Sequence, residues 1–117
     1  MPDKTVLDLS RLQEAFEEDV TGIADLLEMA LETGRKHRRT LEDGLASHDA
    51  NVVARAAHGI KGSAGTIGAN QVYALAMELD TRARTGELGG ARERVDAIGA
   101  AYARVEEEVR AYRASLT

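Results

Sequence analysis

Cysteine is absent from the sequence, which rules out disulfide frameworks and thiolate metal sites and fits a reducing compartment. Tryptophan is absent too, and with one Phe and three Tyr the core must be built from Leu, Val, Ile, Ala and Met. That palette, with a single proline, favours helices over sheet. No apolar run is long enough to span a bilayer, and the opening MPDKTVLDLS lacks the apolar centre of a secretory signal, so a soluble cytoplasmic protein that engages no membrane is expected. Basic stripes are missing as well. The net charge is −5 with acidic and basic residues interleaved, which argues against binding nucleic acid.

What is present is helical periodicity. The 117 residues contain no linker-like or low-complexity tract and no sustained period-two alternation, so a single domain over 1–117 is expected. Ser10 followed by Gln13 has the pattern of a capping box opening a short helix in which Leu12 and Phe16 lie one turn apart. From Val20, the positions Ile23, Ala24, Leu27, Ala30 and Leu31, resumed by Leu41 and Leu45 beyond RKHRR, mark a long amphipathic helix that Gly34 weakens only locally. Asp49 and Asn51 are candidate caps for a third helix with Val53, Ala56, Ala57, Ile60, Ala64 and Ile67 on one face. A fourth carries Val72, Leu75, Ala76, Leu79 and Ala83 and stops at TGELGG. The last, from about Ala91, has a heptad-like stripe from Val95 to Leu116, read as bundle core rather than a dimerising coiled coil. The architecture predicted is all-α, an antiparallel up-down four-helix bundle with a short extra N-terminal helix.

The stretch AAHGIKGSAGTIGA sets glycines at 59, 62, 65 and 68 inside the third helix. Each such glycine costs about 1 kcal/mol relative to alanine. A phosphate loop does not explain them, because the Walker pattern needs a Lys followed by Ser or Thr directly after its last Gly and a strand before the loop. At about 100° per residue, His58 falls roughly 150° from the centre of the apolar arc and faces solvent. Ala54, Lys61, Gly62 and Gly65 surround it, and all but the lysine are small. Because helical side chains lean toward the N-terminus, a bulky residue at Gly62 would cover the imidazole. Lys61 can bring its ammonium beside whatever group the ring carries, which suits a phosphoryl dianion. Ser63 lies nearer the buried flank, poised for a carbonyl or a neighbouring helix. Gly68 serves the turn into the next helix, while Gly59 has no evident purpose.

Other chemistries fit less well. His37, His48 and His58 are not one turn apart, and the Glu-x-x-His pairs of di-iron bundles are missing, so no metal site is expected. His37 and His48 read as solvated surface residues. An exposed histidine on a convex helix has no pocket to exclude water, and no Ser/His/Asp or Cys/His set accompanies it, so an autonomous enzyme is not expected.

RAAHGIKGSAGTIGA resembles the signature of histidine-containing phosphotransfer (HPt) domains, His-x-x-Lys-Gly-Ser/Gly with a further glycine before the next helix. MELDTRARTGEL is similar to that family's Glu-Leu-Glu and Ala-Arg-x-Gly run, so the resemblance covers nearly the whole chain. It implies His58 as phosphoacceptor through Nε2, Lys61 as the compensating charge and Gly62 as the residue granting access. It places Asp80 where relatives carry a Glu or Gln that holds the imidazole Nδ1, and the shorter Asp leaves room for an intervening water. Arg84 corresponds to a basic position near the receiver-docking surface. The function implied is a phosphorelay: receiver domains of a hybrid histidine kinase and of response regulators supply and take the phosphoryl group. Mg²⁺ is expected in the receiver, and the carrier has no cofactor of its own. Docking is expected on an apolar patch with polar edges, with Ala54, Arg55, Lys61 and Gly65 as candidates together with exposed residues of the preceding long helix. The chain is expected to be a monomer. Two alternatives stand beside this reading: the phosphoacceptor domain of a chemotaxis-type kinase, and a helical adaptor in which His58 is incidental.

Overall fold

Some helix boundaries fall where the sequence offers a stop or a cap. The computed structural model describes residues 5–17 and 19–116. Among these are five helices, α1 (Ser10–Ala15), α2 (Val20–Ala46), α3 (Ala50–Ile67), α4 (Asn70–Arg84) and α5 (Ala91–Ala114), and no strand. The Asp49 carboxylate accepts the backbone N–H groups of Asn51 (3.1 Å) and Val52 (3.2 Å), so Asp49 is the cap of α3 and Asn51 lies inside the first turn. Gly68 ends α3 in the left-handed conformation, φ 74°, where a side chain would be strained.

The capping box at Ser10 does not form. Ser10 is the first helical residue, and its N–H and hydroxyl both donate to the Asp8 carboxylate, at 3.0 and 2.7 Å. Residues 5–9 continue across the α3–α4 turn, where Asp8 N–H donates to Gly68 O (2.9 Å) and Gln71 N–H to Thr5 O (3.2 Å).

Contacts between helices run α2–α3–α4–α5 and return to α2. The register of each pair shows its direction. On α2 and α3, Gly44 meets Val53, His37 meets Gly59, and the Ser63 hydroxyl donates to Ala30 O, so numbers fall on one helix as they rise on the other. Gly65 meets Tyr73 and His58 meets Asp80 across α3 and α4. Gln71 bonds Arg104 and Glu78 bonds Arg94 across α4 and α5. Arg92 reaches Glu42, Tyr102 lies on Gly34, and Arg113 reaches Glu28 across α5 and α2. All four neighbouring pairs are therefore antiparallel, which is the up-down bundle.

Buried residues from all five helices form one core, from Leu12 to Val109. The α5 stripe contributes Val95, Ile98, Tyr102, Val105 and Val109; Tyr112 is half-buried, and Leu116 lies beyond the helix and exposed, so the stripe stops short of its predicted end. Two glycines mark close approach. A Cβ on Gly34 would sit 2.6 Å from the Tyr102 hydroxyl, and one on Gly59 would sit 2.5 Å from the His37 ring. Gly34 is thus a packing residue rather than a local weakness. Gly59 has a purpose after all, and His37 is half-buried between α2 and α3 rather than solvated.

Candidate functional site

Halfway along α3, the residue facing away from the core is His58. Its side chain is 60% exposed. The core row of α4, Val72, Ala76, Leu79 and Ala83, places Asp80 one step round the helix, against α3. Asp80 is 4% exposed and is the one buried charged residue among those described. His58 Nδ1 lies 3.4 Å from Asp80 Oδ2, so the shorter side chain does reach the imidazole directly, at the long end of a hydrogen bond.

Three cationic or titrating groups share that carboxylate. Arg84, one turn further along α4, donates Nε–H to Oδ1 at 2.8 Å and Nη2–H to Oδ2 at 3.1 Å. Lys61 Nζ stands 3.8 Å from Oδ2. Burial would raise the Asp80 pKa, but hydrogen bonds from Arg84 and His58, with the charges of Arg84 and Lys61, outweigh it and hold the carboxyl below its ordinary value. Arg84 Nη2 is also 3.4 Å from His58 Nδ1. Two neighbours thus compete for Nδ1. The carboxylate can only accept, whereas Arg84 Nη2, 3.4 Å from Nδ1, keeps a second N–H. We assign Nδ1–H donating to Asp80 because that bond joins a donor to a buried anion and is among those that hold the carboxyl below its ordinary value. Nε2 is then the unprotonated nitrogen, and it has no hydrogen-bond partner among the described residues.

The predicted neighbours divide. A Cβ on Gly62 would meet nothing within 4 Å, so that glycine serves no packing and leaves the space over the ring open. Gly65 differs: its Cβ would touch the Tyr73 ring at 3.4 Å, so it faces α4 as well as the surface. Ala54 is buried and forms the floor of a shallow depression of about 680 Å³, lined also by Asn51, Arg55, His58, Asp80 and Arg84. Arg55 is exposed at its rim. Lys61 leans onto Asp80 and is only a quarter exposed.

Two residues escaped the sequence reading. Tyr73 and Met77, 37% and 45% exposed, lie in the same row of α4 as Asp80 and Arg84. On this side α4 thus adds exposed apolar surface to the His58 seam, while on α2, the helix expected to complete the docking surface, Met29 is 66% exposed. Counting back from Asp80 in steps of three and four would have found both.

Residues 25–112 match the model of the Hpt domain family. Among solved structures, histidine-containing phosphotransfer protein B from Pseudomonas aeruginosa is similar, with 27% identity over 97% of this chain and 98% of that one and a TM-score of 0.86. No curated protein sequence matches significantly.

Proposed function

The chain belongs to the histidine-containing phosphotransfer family and is a carrier of a two-component phosphorelay, and within that role we propose that His58 is the phosphoacceptor. The observation that carries this reading is an exposed imidazole held by Nδ1 against buried Asp80, with Nε2 free beside an unobstructed Gly62. A neutral imidazole fixed in one tautomer is a competent nucleophile. Nε2 attacks phosphorus of an aspartyl phosphate in line with the acyl oxygen, the P–O bond breaks, and its electron pair returns to the receiver's carboxylate. The ring keeps its Nδ1 proton and becomes formally cationic as the P–N bond forms, and the negative phosphoryl oxygens it then carries, together with the Asp80 carboxylate, answer that charge. Lys61 is near enough to turn its ammonium from Asp80 toward the phosphoryl oxygens.

The donors and acceptors proposed are receiver domains, one of a hybrid kinase and one of a response regulator, in either direction of flow. The receiver supplies Mg²⁺ and the groups that stabilise the transferring phosphoryl, so the carrier is no enzyme by itself. Arg55, Arg84, Gly62 and the Tyr73–Met77 row form the surface that meets the receiver. The chain acts as one HPt domain, monomeric and cytoplasmic. Incubation with a receiver charged by acetyl phosphate and Mg²⁺ tests this: an acid-labile, base-stable phosphoryl group forms on the parent and not on His58→Gln. Labelling that survives His58→Gln would refute it.

A further inference from the structure

Arg84 is 60% exposed, the profile of a residue free to meet a partner, yet its guanidinium is committed inward. Its planar fork takes both oxygens of one buried carboxylate, and the nitrogen it gives to Oδ2 also lies 3.4 Å from His58 Nδ1. Oδ2 is the point where Arg84, Lys61 and His58 converge. Around His58 the charged groups are Arg55 and Lys61 on α3 and Asp80 and Arg84 on α4, with His48 and Asp49 of the α2–α3 turn beyond Arg84 in the adjoining depression; no residue of α2 or α5 lines the depression at His58.

The charge count decides what this does. Without Arg84, the buried Asp80 anion would be answered by Lys61 at 3.8 Å and by whatever charge His58 could take up, and a second proton on the imidazole would complete an ion pair. That proton would sit on Nε2 and remove the nucleophile. With Arg84 in place, two fixed cations already face one anion, so an imidazolium beside them is opposed. The bidentate grip also fixes the carboxylate plane, which keeps Oδ2 directed at Nδ1.

Resting on His58 as the acceptor, we propose that Arg84 is a positioning residue for phosphoryl transfer: by clamping Asp80 and balancing its charge, it lets Asp80 hold the Nδ1 proton without drawing a second proton onto Nε2.

The test compares the parent chain with Arg84→Gln, Arg84→Lys and the double variant Asp80→Asn/Arg84→Gln. Phosphoryl acceptance from an acetyl-phosphate-charged receiver is followed between about pH 5 and 9, alongside NMR titration of the His58 imidazole in the free protein. Arg84→Gln moves the acid limb and the His58 midpoint upward together by about half a pH unit or more, a loss of about threefold in acceptance on that limb. Arg84→Lys, which keeps the charge without the fork, restores the midpoint but not the full rate. The double variant, lacking the anion as well, returns the midpoint to the parent value or below and carries the test should Arg84→Gln fold poorly. An unmoved midpoint in Arg84→Gln and an unmoved acid limb, with only a higher receiver concentration needed for half-maximal rate, would overturn the proposal and leave Arg84 a docking contact and nothing more. The NMR midpoint needs no receiver, and a His58→Gln control that still accepts phosphate would refute the acceptor assignment independently.

Discussion

Gly62 and Gly34 both interrupt helices, and the space around them predicts opposite outcomes for added atoms. Nothing lies within 4 Å of a Cβ at Gly62, so Gly62→Gln gains helix propensity, and the melting temperature should equal or exceed the parent's. The same side chain leans over the imidazole, and phosphoryl acceptance should fall by about tenfold or more. An unchanged rate would contradict the account of access. Asp80 makes a second residue-scale prediction. Its pKa is depressed on folding, so the stability it confers is present above the ordinary value of 3.8 and is lost as pH falls below that into the folded range. Denaturant titrations at about pH 6 and about pH 3 should show a steeper acid loss in the parent than in Asp80→Asn. Parallel losses in both proteins would show that the carboxylate is not the group responsible. His58, Lys61 and Gly62 were legible in the sequence because one helix turn relates them. The Asp80–Arg84 clamp was not, since Arg84 could equally have pointed outward.

Between elements, the α2–α5 seam turns on Tyr102. Its ring lies over the Gly34 backbone, with the Arg38 guanidinium 5.3 Å from its centroid. A Cβ on Gly34 would overlap this buried ring, so Gly34→Ala should destabilise by about 1–3 kcal/mol despite a gain in helix propensity. Burial pushes the Tyr102 hydroxyl up to about 12, and that oxygen has no hydrogen-bond partner among the described residues. The unfolded chain loses this proton first, at about 10, so stability should decline as pH rises from about 10 toward 12. Tyr102→Phe keeps the ring and removes the unpaired group. Urea melts should therefore show it as stable as the parent or more so at neutral pH, and less sensitive to alkali. A loss above about 1 kcal/mol at neutral pH would mean the hydroxyl has a partner. Helix faces and most boundaries could be read from period and caps, as at Asp49 and Gly68. The cross-helix pairs could not: Gly59 with His37, Gly65 with Tyr73 and Gly34 with Tyr102 lie far apart in sequence, and no single-helix pattern encodes which helix a glycine approaches. Ser10 failed as a cap because Asp8, two residues earlier, offered the better acceptor.

At the scale of the molecule, an antiparallel ring of four helices places His58 on the seam between α3 and α4, while α2 and α5 support it from behind. A net charge of −5 surrounds a site that, counting Lys61, Arg84 and Asp80, is locally cationic before any phosphoryl group arrives. That contrast suits a dianionic cargo on an otherwise acidic carrier. The family and the bundle were both readable from the sequence, because the His58 signature and the helical periodicities extend along most of the chain. The exposed Tyr73–Met77 row was not, because its place beside His58 depends on how α4 rolls against α3. Sedimentation should find a species near the 12.6 kDa chain mass, and a concentration-dependent dimer would contradict the monomeric reading. The central claim is that His58 Nε2 carries the phosphoryl group. Mass-resolved phosphopeptide mapping after transfer from a charged receiver tests it most directly: the account predicts one acid-labile phosphoryl group on His58, absent from His58→Gln, whereas modification at His37 or His48, or labelling that persists in His58→Gln, would contradict it.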